Sequence, residues 1–377
     1  MKILRVTTQP ISVPLKRPFV TALRSAAAIE SVLIRVETDG GAEGLGEAAA
    51  TAAITGETRQ SIAAAVEGHI APAIAGRDIL AFDDVMRALR GCIVKNTSAK
   101  AAVDMALYDL LAQRLGVPLY QLLGGARSSL VTDVTISLAD TPRMVADSLA
   151  AVAEGFSILK LKVGRSAAGQ AAEPCGEARK VAEIRAAVGP EVELRVDANQ
   201  GWLPKEAVRI IRAMEDAGCG ASLVEQPVRA GDVDGLRFVT QNVSTPILAD
   251  EAVFSPADAL EILRTRAADL INIKLMKTGG IHQALAVCAM AESYGVACMM
   301  GCMLESRLAV SAAAHLAAAK GVITMCDLDG PSLCASDIYE DGTPVGPEPS
   351  SADGPKFKSQ DIIMGSSPGI GVRLMPE

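Results

Sequence analysis

Aromatic side chains are scarce in this chain, and acidic residues outnumber basic ones. Phe, Trp and Tyr make up 3% of the residues, too few for the stacked rings that bind single-stranded nucleic acid. The formal net charge of −8 also opposes nucleic-acid binding, which requires a basic surface. We therefore expect no nucleic-acid partner.

Long apolar runs and closely paired cysteines are also missing. No stretch approaches the ~18 apolar residues of a membrane span, and Met1–Phe19 lacks the apolar core of a secretion signal. The eight cysteines include no CxxC pair, and Cys298 and Cys302 have no histidine beside them, so buried free thiols are favoured over a metal site. These features predict a cytoplasmic protein with no membrane partner.

The chain does contain enough apolar sequence for a large barrel. Half of its 377 residues are hydrophobic, and a barrel needs ~250 residues. From about Val131 onward, eight short apolar segments alternate with Ala-rich amphipathic helices. Continuous apolar strands are typical of a parallel sheet buried on both faces. Eight such units favour a (β/α) barrel over an open, doubly wound sheet, and no Gly-rich phosphate loop follows any strand.

The N-terminal third has a different pattern and predicts a separate α+β domain. Residues 3–14 and 31–38 are typical of strands, and Ala99–Leu115 has the apolar periodicity of a helix that Ser98 can cap. The tail after about Ser336 is rich in Gly, Pro and Ser, and we expect it to cross back to this domain. The predicted boundaries are 1–125, 126–335 and 336–377.

Three carboxylates, Asp197, Glu225 and Asp250, end consecutive predicted strands. In a parallel barrel such strand ends meet at one rim, where the carboxylates repel each other unless a cation lies between them. Ligands that are all oxygen favour Mg²⁺ over Mn²⁺ or Ca²⁺. Each carboxylate alone is equally typical of a helix cap, but three in succession indicate a metal site.

Three lysines, Lys160, Lys162 and Lys274, lie within apolar strands on either side of these carboxylates. Lys160 and Lys162 point to the same side of their strand because side chains alternate. A single buried lysine is more often an ion-pair partner, but a lysine near other lysines and Mg²⁺ has a lowered pKa and can act as a base. Two bases flanking one carbon predict removal of a proton α to a carboxylate.

The motifs LKLKVG, VDANQGW, VEQP, LADE and IKLMKTGG together resemble the enolase superfamily, muconate-lactonising subgroup, over nearly the whole chain. The resemblance implies an α/β fold: a modified TIM (β/α)7β barrel with an N-terminal α+β capping domain completed by the C-terminal tail. It implies that Lys162 and Lys274 are the two acid/base catalysts and that Lys160 assists them. The mandelate-racemase branch would require a histidine in the segment CMMGCMLES, which has none.

The same resemblance implies one Mg²⁺ per subunit. Its ligands would be Asp197, Glu225 and Asp250. Asn199 and Glu251 would contact these ligands and support the site without being ligands themselves. We also expect the subunits to form a homo-oligomer.

The segment CDLDGP carries two aspartates, Asp327 and Asp329, at the predicted eighth strand end. Two carboxylates pointing the same way make a strong site for an ammonium group, although they could also merely cap a loop. The pair resembles that of the dipeptide epimerases, as do the segments PFVTALRS and ITGET, the latter including Thr55. The implied reaction inverts the α-carbon of the C-terminal residue of an L,L-dipeptide by proton transfer between two lysines through an enolate.

The accepted side chain stays open at this point. Arg24 resembles the loop arginine of alanyl-glutamate epimerases and would meet an acidic side chain, as in L-Ala-L-Glu, but it could equally be a solvated cation. Met303, with Met299 and Leu304, could instead form an apolar pocket.

Several other functions are compatible with these residues. Within the subgroup they are muconate cycloisomerase, o-succinylbenzoate synthase and N-succinylamino-acid racemase, whose substrates have no free ammonium. Outside it, a Schiff-base lyase could use Lys162 or Lys274, and a non-catalytic barrel would need none of these charges. The sequence leaves open the oligomeric state, the pathway and the role of residues 165–177.

Overall fold

A computed structural model describes residues 1–125, 127–164, 174–339, 356–358 and 360–375. The chain opens with a three-stranded antiparallel sheet of β1 (Ile3–Val20), β2 (Ser25–Thr38) and β3 (Glu43–Ala49). Both predicted N-terminal strands are therefore found, and both are longer than predicted. The loop between β1 and β2 is short, and it carries Arg24.

Helices cover one face of this sheet and complete the capping domain. Their bounds are α1 (Arg59–Ala65), a π-helical turn (Val66–Ile70), α2 (Ala71–Ile74), α3 (Phe82–Gly91), α4 (Thr97–Leu115) and α5 (Leu119–Leu122). The long helix α4 lies so close to β3 that a Cβ on Gly46 would be 1.9 Å from the carbonyl oxygen of Ala102. Glycine in β3 and alanine in α4 thus permit backbone contact between sheet and helix.

The start of α4 is capped differently from the prediction. Ser98 was expected to cap the helix, but the helix begins at Thr97. The buried carboxylate of Glu57 accepts the backbone N–H groups of Ser98 at 2.8 Å and Ala99 at 3.1 Å. A cap supplied from a separate segment cannot be recognised by local spacing, which is why the sequence pointed to Ser98.

After the short strand β4 (Ser129–Val131), eight parallel strands form the barrel in the order in which they occur in the chain. They are β5 (Val134–Ile136), β6 (Ile158–Lys162), β7 (Glu193–Asp197), β8 (Ala221–Glu225), β9 (Ile247–Ala249), β10 (Leu270–Lys274), β11 (Cys298–Gly301) and β12 (Ile323–Asp327). A parallel bridge between Thr132 and Cys326 joins the two edge strands and closes the ring. The predicted barrel is confirmed.

Seven of the eight barrel strands are followed by a substantial helix, as in a (β/α)7β barrel. The helices are α6 (Thr141–Ala153), α7 (Pro174–Val188), α8 (Pro204–Asp216), α9 (Val233–Thr240), α10 (Pro256–Thr265), the single turn α11 (Leu275–Thr278) before α12 (Ile281–Tyr294), α13 (Arg307–Ala319) and, after the last strand, the short α14 (Gly330–Leu333). Residues 165–173 of the long segment before α7 lie outside the described residues.

The tail returns to the capping domain, as expected. The strands β13 (Lys356–Lys358) and β14 (Asp361–Ile363) pair with each other, and β14 also pairs with β4. Farther along, the backbone N–H of Ile370 donates to the carboxylate of Asp109 in α4 at 2.7 Å. The domain boundaries themselves stay predictions. Across the described ranges, no helix has both the length and the apolarity to cross a membrane.

Candidate active site

The charged residues predicted from the sequence meet at one end of the barrel. Asp197, Glu225 and Lys274 are the last residues of β7, β8 and β10, and Asp250 directly follows β9. Lys162 ends β6, which lies four positions from β10 in the eight-stranded ring. Lys162 and Lys274 therefore face each other across the mouth, with the three carboxylates along the wall between them.

Each of the three carboxylates is fully or almost fully buried and contacts a lysine. The Nζ of Lys162 lies 2.5 Å from Oδ2 of Asp197, and that of Lys274 lies 2.8 Å from Oδ2 of Asp250. The Nζ of Lys160 lies 2.6 Å from Oε2 of Glu225 and 3.3 Å from Asp197. Because this ammonium group stands between the carboxylates, no three potential ligands in the described ranges are arranged around one point.

Neighbouring carboxylates raise the pKa values of two of these lysines, Lys160 and Lys274, above their usual range. Burial alone would lower the pKa of Lys274, but the charges of Asp250 and Glu225 outweigh it, so the pKa lies above its usual value. Burial likewise opposes the charge on Lys160, and Asp327 and Glu225 raise its pKa more strongly. In the protein without a metal ion, the surrounding carboxylates thus raise the pKa values of Lys160 and Lys274. The lowered lysine pKa expected beside Mg²⁺ stays a prediction.

The mouth nevertheless holds more negative than positive groups. The ammonium groups belong to Lys160, Lys162, Lys274 and Lys277, and the carboxylates to Asp197, Glu225, Asp250, Glu251, Asp327 and Asp329. Burial and neighbouring acids raise the pKa of Glu225 to about 7 and that of Glu251 to about 8. Six carboxyl groups thus crowd around four ammonium groups, and a divalent hard cation held by their oxygen donors would relieve the repulsion that raises these pKa values.

Two supporting residues leave buried oxygens without a hydrogen-bond donor. These atoms are Oδ1 of Asn199 and Oε2 of Glu251, and the amide of Asn199 lies 3.4 Å from Asp197 and 3.5 Å from the other carboxylate oxygen of Glu251. Buried acceptors without donors are rare. Their presence beside the carboxylates is a second feature that fits a cation and its bound water.

Two residues that contact the carboxylates were missed by sequence reasoning. The fully buried Nζ of Lys277 lies 2.6 Å from Oδ1 of Asp250, and the side-chain amide of Asn272 donates to Oε1 of Glu225 at 2.8 Å. Lys277 lies within the quoted motif IKLMKTGG and Asn272 directly precedes its first residue, so their position among apolar neighbours was the available signal. Gly301 on β11 leaves space for Asn272 and Lys274, because a Cβ there would lie 2.6 Å from Oδ1 of Asn272 and 2.8 Å from Cε of Lys274.

The last strand brings Asp327 and Asp329 to the same cavity. Asp327 ends β12 and its Oδ2 lies 2.6 Å from Nζ of Lys160, whereas Oδ2 of Asp329 accepts the backbone N–H of Thr135 at 2.7 Å. Burial and the charge of Asp327 raise the pKa of Asp329 to about 6. Among the described residues, one ammonium group, that of Lys160, forms an ion pair with these two adjacent buried carboxylates, so they are suited to receive a second cation.

The loop between β1 and β2 (residues 21–24), called the capping loop below, covers the cavity. The cavity is lined by both aspartates, Lys162, Lys274 and, among the residues predicted to contact substrate, Arg24 and Met303. Thr55 does not line it: its hydroxyl donates to the carbonyl of Thr51, and Ile54 lines the cavity instead. Phe19, Thr21 and Leu23 of the segment PFVTALRS also line the cavity, as do Thr135, Cys302 and Leu333, which the sequence did not indicate as substrate contacts.

Comparisons with known proteins agree with this geometry. Residues 3–124 match the family model of the mandelate racemase / muconate lactonizing enzyme N-terminal domain, and residues 143–377 match that of the enolase C-terminal domain-like family. The L-Ala-D/L-Glu epimerase of Clostridium acetobutylicum is 50% identical over 362 residues, 96% of either chain.

Solved structures are similar over almost the whole chain. The substrate-liganded L-Ala-D/L-Glu epimerase of Bacillus subtilis has a TM-score of 0.92 and 46% identity, with 99% of both chains covered. The dipeptide epimerase of Enterococcus faecalis, complexed with Mg and L-Leu-L-Tyr, has a TM-score of 0.91 and 36% identity, covering 99% of this chain and all of the other. The chain therefore belongs to the mandelate racemase / muconate lactonizing enzyme family of the enolase superfamily, whose enzymes bind Mg²⁺.

Proposed function

We propose that this protein is a Mg²⁺-dependent dipeptide epimerase that inverts the α-carbon of the C-terminal residue of an L,L-dipeptide. The observation that carries the proposal is the position of Asp327 and Asp329, which line the same cavity as Lys162 and Lys274. A substrate with a free ammonium group would place it on the aspartates and its own carboxylate toward the metal ligands. Its reacting carbon would then lie between the two lysines.

The two lysines supply the acid and the base of the reaction. Because β6 and β10 are opposite each other in the ring, Lys162 and Lys274 approach the α-carbon from opposite faces. One amine removes the α-proton, and the ammonium group of the other delivers a proton to the far face, which inverts the centre. Lys160, buried between Glu225 and Asp327, contributes a fixed positive charge beside the developing enolate.

Asp197, Glu225 and Asp250 would hold one Mg²⁺ per subunit, supported by Asn199 and Glu251. When bound, Mg²⁺ would supply positive charge that stabilises the enolate, and with the carboxylates of Asp197, Glu225 and Asp250 as its ligands Lys162 and Lys274 would more readily adopt the neutral amine form that a base requires. We further propose that the protein works in the cytoplasm as a homo-oligomer.

Arg24 favours an acidic side chain at the inverted residue, as in L-Ala-L-Glu. It lines the cavity, and burial lowers the pKa of its guanidinium group. In the described part of the chain this guanidinium has no carboxylate or hydrogen-bond partner. A partly buried arginine without a counter-charge is costly, and the carboxylate of a glutamate substrate would supply one. The L-Ala-D/L-Glu epimerases among the similar proteins act on such a substrate.

Incubation with dipeptides in D₂O and Mg²⁺ tests the proposal. Mass spectrometry should detect α-deuterium in L-Ala-L-Glu together with its L,D epimer, and EDTA should abolish both. A Schiff-base lyase would instead survive EDTA and be trapped by borohydride. Absence of deuterium from every dipeptide in a library would show that the assignment is wrong.

A further inference from the structure

The ring of strands is joined least extensively where β12 meets β5. The pairs β6–β7, β7–β8 and β10–β11 have four or five residues in register, and β8–β9 and β9–β10 have two each. The edge strands β5 and β12 are connected through the single bridge between Thr132, just before β5, and Cys326. Asp327 and Asp329 follow directly after this closing seam. Their positions therefore depend on whatever else holds the seam together.

A buried ion pair spans the barrel interior beneath the seam. The Nη1 of Arg195, on β7, donates to Oδ2 of Asp133 at 2.9 Å and to the carbonyl of Cys326 at 3.0 Å. The backbone N–H of Asp133 donates to the same carbonyl at 3.3 Å. Arg195 thus reaches past β6 and ties both edges of the seam to a third strand.

Two further hydrogen bonds run from the start of β5 to the residues that follow β12. The backbone N–H of Leu328, between the two aspartates, donates to Oγ1 of Thr132 at 2.7 Å. The backbone N–H of Thr135 donates to the carboxylate of Asp329 at 2.7 Å. Both aspartates are therefore fixed against β5, and β5 is fixed from below by Asp133 and Arg195.

Stability alone does not account for this ion pair. The side chains of Arg195 and Asp133 are 4% and 0% exposed, and burying such a pair costs roughly as much desolvation energy as its attraction returns. The neighbouring interior positions are filled by apolar Leu223, Leu248 and Met299. Burial and the charge of nearby Asp327 raise the pKa of Asp133, which adds to the cost. A positional role explains why charged groups occupy this layer.

We infer that Asp133 and Arg195 are positioning residues for the substrate's ammonium group: together with Thr132 they form a seam clamp that sets the spacing of Asp327 and Asp329. Neither side chain lines the cavity, so the clamp reaches the substrate's ammonium group through these two aspartates. The charge of Asp133 also acts on Lys160. The inference rests on the proposed epimerase function. Loosening the clamp should weaken binding of the ammonium group more than it slows proton transfer.

The test compares Asp133→Asn and Arg195→Met in the full-length protein with two substrates. One is L-Ala-L-Glu, and the other is N-propanoyl-L-Glu, which differs only in lacking the amine. For each variant, α-deuterium exchange gives KM and kcat. We expect KM for the dipeptide to rise roughly tenfold with a smaller change in kcat, and the preference for the dipeptide over the amine-free compound to fall by about the same factor.

Arg127→Met is the matched control. Arg127 also donates to backbone carbonyls, including that of Ile323 at 2.9 Å, but at the opposite end of β12 from the aspartates. It should lower the unfolding midpoint without changing the substrate preference. The Mg²⁺ concentration for half-maximal activity should stay unchanged in Asp133→Asn, because Asp133 directly precedes β5 and the metal ligands lie at the ends of β7, β8 and β9.

Several results would overturn the clamp. These are folded clamp variants with the wild-type preference, or a loss of preference that Arg127→Met shares. If Arg195→Met does not fold, Asp133→Asn, which preserves the side-chain shape, decides the question, with Arg195→Lys as a second reporter. A wild-type protein inactive on every dipeptide would refute the proposed function itself, whereas an active wild type with indifferent variants refutes only the clamp.

Discussion

The barrel mouth and the capping loop above it differ in whether their charged side chains have partners of opposite charge. In the mouth, Lys160, Lys162 and Lys274 all lie within 3 Å of a carboxylate oxygen, at separations of 2.5 to 2.8 Å. In the capping loop, Arg24 lines the same cavity, and its guanidinium has no partner in the described ranges. Each of these lysines in the mouth contacts an opposite charge, whereas the arginine of the loop faces the cavity without one.

This difference assigns proton transfer to the barrel mouth and the choice of substrate side chain to the capping loop. Groups that hold one another in buried ion pairs are fixed in position, which suits proton transfer at a defined carbon. An unpaired cation on a loop has no such partner, so its most favourable state is reached when a ligand brings the opposite charge. We expect changes in the mouth to abolish turnover and changes in the loop to redirect it. The following predictions test that division, beginning with the largest effect.

Replacing either opposed lysine should stop epimerisation. For Lys162→Met and Lys274→Met we expect the rate of inversion to fall at least ~1,000-fold, since each face of the α-carbon has one acid/base group. The remaining lysine should still exchange the α-proton of the one stereoisomer that it faces. Exchange of L-Ala-L-Glu and L-Ala-D-Glu in D₂O, measured separately for each variant, would reveal this asymmetry. Equal exchange of both isomers by either variant would contradict the two-base arrangement.

Removing one carboxylate at the closing strand should weaken binding of dipeptides. Asp329→Asn retains the shape and the contact with the N–H of Thr135 but loses the charge that faces the substrate's ammonium group. We expect KM for L-Ala-L-Glu to rise roughly 10- to 100-fold, the cost of a lost charge-assisted hydrogen bond. Turnover of N-propanoyl-L-Glu should change little. A variant with an unaltered KM for the dipeptide would argue that the aspartates serve only the loop.

The positions of the mouth residues could be read from the sequence because topology alone brings them together. Asp197, Glu225 and Asp250 follow apolar strands, and parallel strands place their carboxyl ends at one rim whatever the details of packing. The same reasoning located Lys162 and Lys274. Strand alternation and strand order were sufficient, and both are local properties of the chain.

The rest depended on contacts between distant segments. Glu57 caps α4 from 40 residues away, and Ile54 rather than Thr55 lines the cavity because the hydroxyl of Thr55 turns to its own loop. The raised pKa values of Lys160 and Lys274 follow from how many carboxylates surround them. No spacing rule gives that number, since it is set by the side chains of five strands together.

The capping loop should determine which side chain is accepted. Arg24→Met should lower kcat/KM for L-Ala-L-Glu roughly tenfold and raise it for L-Ala-L-Leu, because an apolar wall replaces the lone cation. Arg17→Met is the matched control, since Arg17 lies in the same segment but is paired with Asp147 at 2.7 Å and does not line the cavity. A dipeptide screen by mass-monitored exchange would compare both. A preference for acidic side chains that persists in Arg24→Met would place selectivity elsewhere.

The contact between barrel helix α13 and the capping domain, called the joint below, should affect stability without affecting turnover. His315 on α13 accepts the backbone N–H of Tyr120, from the capping domain, at 3.0 Å, and its other ring nitrogen lies 3.0 Å from the carbonyl of Ile370 in the tail. Burial lowers its pKa from 6.5 to about 4, so the folded protein resists a proton that the unfolded chain accepts. The contribution is complete above pH ~6.5 and is lost as the pH falls toward 4, at most about 3 kcal/mol.

His315→Gln removes this titration and serves as the reference. Urea unfolding from pH 7 to 4.5 should show the wild type losing stability faster than the variant, and the gap measures the histidine alone because both proteins share every other acid and base. At pH 8 the kcat of the two should agree, since His315 lies on the outer side of the barrel, away from the mouth. Parallel stability curves would mean that His315 is protonated as readily in the folded protein as in the unfolded chain. A lower kcat in the variant would mean instead that the joint transmits strain to the site, and the division between chemistry and selectivity would then be incomplete.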